Sequence, residues 1–188
     1  MPLHPSKVPG GNELLNAKEV LEKAGITEGM KVGDLGCGSR GYFSLQAAKI
    51  VGKPGLVYAV DILKSNLQSV ENEAKILGLS NVKTVWTDLE IYGATKIPAS
   101  SLDFALLINV LFQTKDHQTI IKEAARLLKK DGKILVVDWK RTGAPFGPRI
   151  EERVSPEKIE EYAKLAGLVK ELKFEAGPYH YGLVFKKL

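Results

Sequence analysis

The sequence predicts an α/β domain built on a doubly wound, mostly parallel seven-stranded sheet with an antiparallel last strand. Three observations lead there. Short apolar runs alternate with amphipathic helical segments from Met30 to Val137, glycines punctuate the junctions, and the last two apolar runs are joined only by Ala176-Gly177-Pro178-Tyr179. Alternation of this kind lays strands side by side in one direction with helices over both faces. The short final connection forbids a parallel return, which needs a crossover of about a dozen residues or more.

Element by element, Asn12 to Ala24 carries apolar residues at helical spacing (Leu14, Leu15, Ala17, Val20, Leu21, Ala24) and stops at Gly25. Met30 to Leu35 is a short buried strand running into a glycine cluster, and Tyr42 to Val51 a helix closed by Gly52-Lys53-Pro54-Gly55. The pattern repeats with a strand at Leu56 to Val60, a helix at Lys64 to Leu77 and a strand at Val82 to Trp86. Leu102 to Ile108 is nearly unbroken apolar sequence, as a central strand covered on both faces requires. A helix over Asp116 to Leu128 and a strand over Lys133 to Val137 follow, separated by the turn Lys129-Lys130-Asp131-Gly132. After an irregular stretch from Arg141 to Val154, Ser155 caps a helix with Pro156 at its first position, ending near Gly167. Strands over Val169 to Phe174 and Tyr181 to Phe185 complete the sheet.

At 188 residues the chain suits a single domain, with 1–28 as an N-terminal lid segment and helix and 29–188 as the core. The one cysteine, Cys37, rules out an internal disulfide and is too few for a cysteine-based zinc site, so no metal is expected. No apolar run approaches the roughly 20 residues that cross a bilayer. Met1 to Gly11 is rich in Pro and Gly and lacks the apolar core of a signal peptide, so a cytoplasmic protein without a membrane partner is expected. The net charge of +5 leaves a nucleic-acid partner possible, but lysines alternate with acids, as in Lys158-Ile159-Glu160-Glu161, and no motif supports one.

The most informative stretch is Val32-Gly33-Asp34-Leu35-Gly36-Cys37-Gly38-Ser39-Arg40-Gly41. A glycine turn leaving the first strand lets the backbone approach a ligand closely. Dinucleotide enzymes share that spacing, and Asp34 separates the two cases. A carboxylate there repels a pyrophosphate but pairs with an ammonium, which S-adenosylmethionine carries while lacking phosphate. Asp61 ends the second strand, where a carboxylate accepts ribose hydroxyls, and Ile62 beside it packs on a base. Asp88 follows the third strand and suits the adenine amino group. Each acid alone equally suits a turn cap. Three at consecutive strand ends, around a glycine turn, favour a nucleoside-binding crevice.

Asp34-Leu35-Gly36-Cys37-Gly38 resembles the signature turn of class I S-adenosylmethionine-dependent methyltransferases, a Rossmann-like family. The similarity continues through Val57 to Asp61, Asp88, Ser101 to Leu111 and Glu123 to Lys133, and is nearest the type 11 group that includes ubiquinone/menaquinone-biosynthesis-like enzymes. The resemblance implies S-adenosylmethionine as cofactor. Its methionine part is held by Asp34 and the turn (Gly36, Cys37, Gly38, Gly41), its ribose by Asp61, its adenine by Asp88 with the Leu89 backbone, while Asn109 and Val110 line the methionine side. One departure stands out: Arg40 occupies the place of the pattern's third glycine, and Gly41 comes one residue later.

Methyl transfer is a direct displacement, so alignment does much of the work and no catalytic triad is required. Segments leaving the strands at the ligand edge should meet the acceptor: Asn109, Phe112 and Gln113; Asp138, Trp139, Lys140 and Arg141; Tyr179, His180 and Tyr181. His180 is the first candidate for a general base and Asp138 the second, each with a purely structural alternative; His117 reads as a surface residue. No Asn-Pro-Pro-Tyr run follows the fourth strand, which disfavours exocyclic amino and amide nitrogens as targets. A small-molecule acceptor is expected. An RNA or protein acceptor on the same fold, and a non-catalytic S-adenosylmethionine-binding protein, are the alternatives.

Overall fold

Local chemistry sets the element boundaries. The computed structural model describes residues 14–144 and 146–188, so the Met1 to Gly11 segment and the expected helix start at Asn12 lie outside the described residues. Helix α1 runs Ala17–Ala24, with the Asn16 side chain accepting the Glu19 amide at 3.2 Å and Gly25 terminating it. Helices α2 (Tyr42–Val51), α3 (Lys64–Ile76), α4 (His117–Leu127) and α5 (Pro156–Leu165) fall within about two residues of the expected spans. Asp116 caps α4 and Ser155 caps α5, each side chain accepting an amide three residues on.

Strands β1 (Lys31–Leu35), β2 (Leu56–Asp61), β3 (Val82–Trp86), β4 (Leu102–Ile108) and β5 (Leu128–Trp139) are parallel. Strands β6 (Leu168–Gly177) and β7 (His180–Lys187) form an antiparallel hairpin. The order is β3-β2-β1-β4-β5-β7-β6, so β7 inserts between β5 and β6 as the one strand against the grain. The seven-stranded doubly wound sheet is therefore as the alternation predicts.

Strand β5 is longer than expected. Leu128 pairs with Leu102 directly out of α4, and the register then breaks before Phe104 pairs with Lys133. The expected turn survives as that irregularity, with Asp131 at φ +62.

Alternation along the strands sorts the core into two sides. Val32, Phe104, Leu106, Leu135 and Val137 pack with α1 and α2 on one face. On that same face α3 contributes Leu67, Val70 and Ala74 against Ala59. Leu35, Val60, Leu107 and Val136 face α4 and α5 on the other. The exits of the five parallel strands share one edge with the β6–β7 turn, where ligands bind in open α/β sheets.

Candidate cofactor crevice

The β1–α2 turn is fastened from two sides. The Gly36 and Cys37 amides donate to the Val60 carbonyl at 2.8 and 2.9 Å, tying the turn to β2. From the β4 exit, Val110 lies so close that a Cβ on Gly36 would stand 2.5 Å from its Cγ2. Gly41 opens α2 at φ +52, and a Cβ there would stand 2.6 Å from Val70 Cγ2 on α3. The close helix approach that demands a glycine thus falls at Gly41, leaving the Arg40 position exposed. Cys37 is buried beneath the turn, and burial, with Asp34 and Asp61 nearby, pushes its thiol far above the usual range. It is no nucleophile in this state.

The three acids occupy different situations. Asp61 is 8% exposed and accepts from the Gly38 amide (2.9 Å), the Leu63 amide (2.9 Å) and Asn66 Nδ2 (3.1 Å). Strand β2 therefore holds the turn that leaves β1. Asp34 lies deeper, 1% exposed, and accepts the Ser44 hydroxyl at 2.6 Å. Burial pushes its pKa up to about 6. Asp88 is half-buried and accepts the Glu90 amide at 2.9 Å, the turn-capping arrangement, which occupies one of its two oxygens.

Around these acids the walls are apolar. Ile62 is 53% exposed, and the neighbouring Trp86 indole donates to its carbonyl at 2.8 Å. Leu89 packs against the core on the α4 face. Asn109 is buried at φ +56, donates its amide to the Val137 carbonyl (2.8 Å) and accepts Gln113 Nε2 on its own carbonyl (2.7 Å). A left-handed non-glycine residue stores about 1 kcal/mol of strain, and such strain concentrates at binding sites.

Two strands further on stand Asp138 and His180, and the sheet separates them. Trp139 pairs with His180 and Asp138 with Tyr181, so alternation puts His180 beside Trp139 on the α1 face and Asp138 on the α4 face. They do not act on one atom together. Burial pushes the Asp138 carboxyl up to about 7, against the pull of the Trp139, Phe112 and Leu111 amides. Its Oδ1 accepts the Trp139 amide at 2.8 Å. His180 is 0% exposed, its ring 4.2 Å from that of Trp139, and burial aided by Lys140 and Arg153 lowers its pKa to about 4. Among the described residues neither His180 nitrogen has a hydrogen-bond partner, nor does Trp139 Nε1. Each such orphan costs about 1–3 kcal/mol. His117 is half-buried, 6.1 Å from the Tyr162 ring, rather than on open surface.

Sequence reasoning passed over the residues that hold these groups. Ser44 and Asn66, in the first turns of α2 and α3, carry the hydrogen bonds to Asp34 and Asp61. Arg153 is buried and donates to the carbonyls of Lys140 (2.9 Å), Thr142 (2.6 Å), Phe146 (3.3 Å) and Pro148 (2.9 Å), stapling the irregular segment after β5 across the sheet edge. A polar residue in a helix's first turn is the one signal that pointed to the first two. Arg153 gave none, because its partners are backbone.

A doubly wound sheet with a glycine turn and carboxylates at successive strand exits defines a Rossmann-like nucleoside-binding protein. The chain belongs to the methyltransferase-domain family, whose model matches residues 26–178. It is similar to a demethylmenaquinone methyltransferase of a Geobacillus species, 26% identical over 64% of this chain and 50% of the relative. A ubiquinone/menaquinone biosynthesis C-methyltransferase of Shewanella woodyi is 31% identical over 64% of this chain and 47% of that protein. The chain thus spans about half the length of these curated relatives. Among solved structures, an S-adenosylmethionine-dependent methyltransferase from Aquifex aeolicus superposes with a TM-score of 0.86 at 26% identity, covering 100% of both chains. That Aquifex protein is named for its dependence on S-adenosylmethionine. The residues present fit it: an open glycine turn, a clasped carboxylate at the β2 tip and an exposed apolar residue beside it. No helix among the described residues is long and apolar enough to cross a membrane.

Proposed function

We propose that the protein transfers a methyl group from S-adenosylmethionine to a small organic acceptor. The observation that carries this reading is the Asp61 carboxylate at the β2 tip, oriented by the Gly38 amide of the glycine turn. A carboxylate so held suits the two hydroxyls of a ribose. Ile62, Asp88 and the Leu89 backbone take the adenine. Gly36, Cys37, Gly38, Gly41, Asn109 and Val110 shape the methionine end. Asp34 acts on that end from beneath the turn, through Ser44.

When bound, the cofactor supplies an electrophilic methyl group on a sulfonium. The chain's own contribution is alignment, worth about 7–11 kcal/mol in favourable cases, and exclusion of water by the stapled segment. Of the two groups for proton handling, Asp138, at about 7, is better matched to neutral pH than His180, at about 4. A small acceptor is supported by the two curated relatives, which are named for quinone-biosynthesis methylation. Residues 29–188 serve as the cofactor-binding core of a cytoplasmic enzyme in this reading.

Calorimetric titration with S-adenosylmethionine and S-adenosylhomocysteine tests the cofactor assignment; micromolar binding is expected, and silence from both overturns it. Incubation with methyl-labelled cofactor and separate metabolite, RNA and protein fractions tests the acceptor. Label in the metabolite fraction supports a small acceptor, and label confined to RNA or protein removes it.

A further inference from the structure

The corner between β2 and α3 breaks local rules that three of the other helix starts obey. Asn16, Asp116 and Ser155 cap α1, α4 and α5 through their side chains, whereas Leu63 stands before α3 with no capping side chain. Lys64 follows at the first helical position, where a cation opposes the helix dipole, and the first turn holds no acid to offset it. Ile62, Leu63 and Trp86 are each more than half exposed. Local rules broken together mark functional or strained places.

Trp86 holds this corner from the edge strand. It pairs with Asp61 in the β2–β3 register, and the Thr87 amide donates to the Asp61 carbonyl at 3.2 Å. From there the indole N–H donates to the Ile62 carbonyl at 2.8 Å, while Lys64 Nζ sits 4.8 Å over the ring. The ring face takes up the cation that the helix start disfavours. Asp61 Oδ1 accepts the Leu63 amide at 2.9 Å. The Ile62 carbonyl and the Leu63 N–H belong to one peptide plane, so that plane is gripped at both of its polar ends. Rotating it would break both hydrogen bonds at once.

We propose that Trp86 is a positioning residue for the bound nucleoside: with Asp61 it clamps the Ile62–Leu63 peptide and so holds Ile62 as the platform for the purine base. The carboxylate that meets the ribose and the side chain that meets the base are then fixed relative to each other. Assigning that nucleoside to S-adenosylmethionine rests on the methyltransferase reading; the clamp itself does not.

Calorimetric titration with 5′-methylthioadenosine, which carries the nucleoside without the amino-acid end, and with S-adenosylhomocysteine decides the matter. Trp86→Phe keeps a flat apolar ring and removes the N–H, so both ligands should weaken by the same factor, roughly three- to tenfold. Trp86→His returns a ring N–H at the position of the indole nitrogen and should restore most of the affinity. A side chain that only filled space would be replaced better by Phe than by His. Lys64→Gln relieves the helix dipole, so thermal stability should hold or rise while both ligands weaken about two- to fivefold. In the ligand-free protein, Trp86→Phe should speed hydrogen exchange at the Leu63 amide and leave the Gly36 and Cys37 amides unchanged. Unchanged affinity or unchanged Leu63 exchange in Trp86→Phe, or no recovery in Trp86→His, overturns the clamp. Binding of 5′-methylthioadenosine without S-adenosylhomocysteine counts against the methyltransferase reading alone, and silence from both ligands overturns both.

Discussion

The Asp61 carboxylate accepts the Gly38 amide at 2.9 Å, joining residues 23 apart in sequence at the exits of adjacent strands. The same carboxylate orders the start of α3 through Leu63 and Asn66. One side chain thus sets the shape of the glycine turn and the entry of the following helix.

Replacing Asp61 by Ala should therefore damage binding twice, through the direct contact and through the turn. A charge-assisted hydrogen bond is worth roughly 1.5–3 kcal/mol, so affinity for S-adenosylhomocysteine should fall about 10- to 100-fold. Asp61→Asn, which keeps an acceptor oxygen, should lose less. Calorimetry compares them, and an unchanged dissociation constant in Asp61→Ala removes the assignment.

Gly41 and Val70 form a second coupled pair, at the contact between α2 and α3. Gly41→Ala adds a methyl into Val70 at a left-handed backbone position and should cost about 2–3 kcal/mol. Val70→Ala removes the clash but not the backbone strain. The double variant should recover part of that loss, giving a coupling of about 1 kcal/mol in denaturant unfolding. Strict additivity would show that the contact is relaxed in solution.

Asp138 carries a pH signature. Its folded-state pKa of about 7 lies above the ordinary 3.8, so the folded protein holds its proton more tightly than the unfolded chain. The stability it contributes is complete below about pH 4 and is lost as pH rises toward 7 and beyond. Asp138→Asn removes that loss and should be more stable than the parent at pH 8, by up to about 4 kcal/mol, with little gain at pH 4. Unfolding midpoints at the two pH values decide the matter; equal gains at both would point to packing instead. Asp34, pushed up to about 6, adds a contribution of the same sign.

Glu123 has the opposite sign. Burial works to raise it, but Arg126 and the Gly93 and Thr95 amides prevail and hold it at about 2. Its contribution is present above the unfolded pKa of about 4.5 and disappears as pH falls through 2. Glu123→Gln strands a part-buried Arg126 and should cost about 3 kcal/mol. It should also release the segment between β3 and β4. Faster hydrogen exchange at Gly93 and Thr95 is the specific readout, since a uniform loss of protection would indicate global destabilisation alone.

Several elements were legible because glycines, whose backbone preferences do not depend on distant partners, bound them. Strand β1 ends before Gly36, helix α2 ends before Gly52, and β2 begins after Gly55. The start of β5 was not legible: Lys129 to Gly132 reads as a plain turn, yet Leu128 already pairs with Leu102, and main-chain hydrogen bonds ignore side-chain polarity.

For the site, the sequence by itself determined that Asp34, Asp61 and Asp88 gather at one edge with the glycine turn, because parallel strands must all exit there. Only the tertiary structure decided that Asp34 faces Ser44 beneath the turn, that Gly41 takes the place expected of the preceding residue, and that Asp138 and His180 lie on opposite faces. Those outcomes hang on strand register and on contacts between elements far apart in the chain. Residue types constrain such contacts weakly, since a carbonyl held by Arg153 or a methyl met by Gly41 can come from almost any residue that packing brings near.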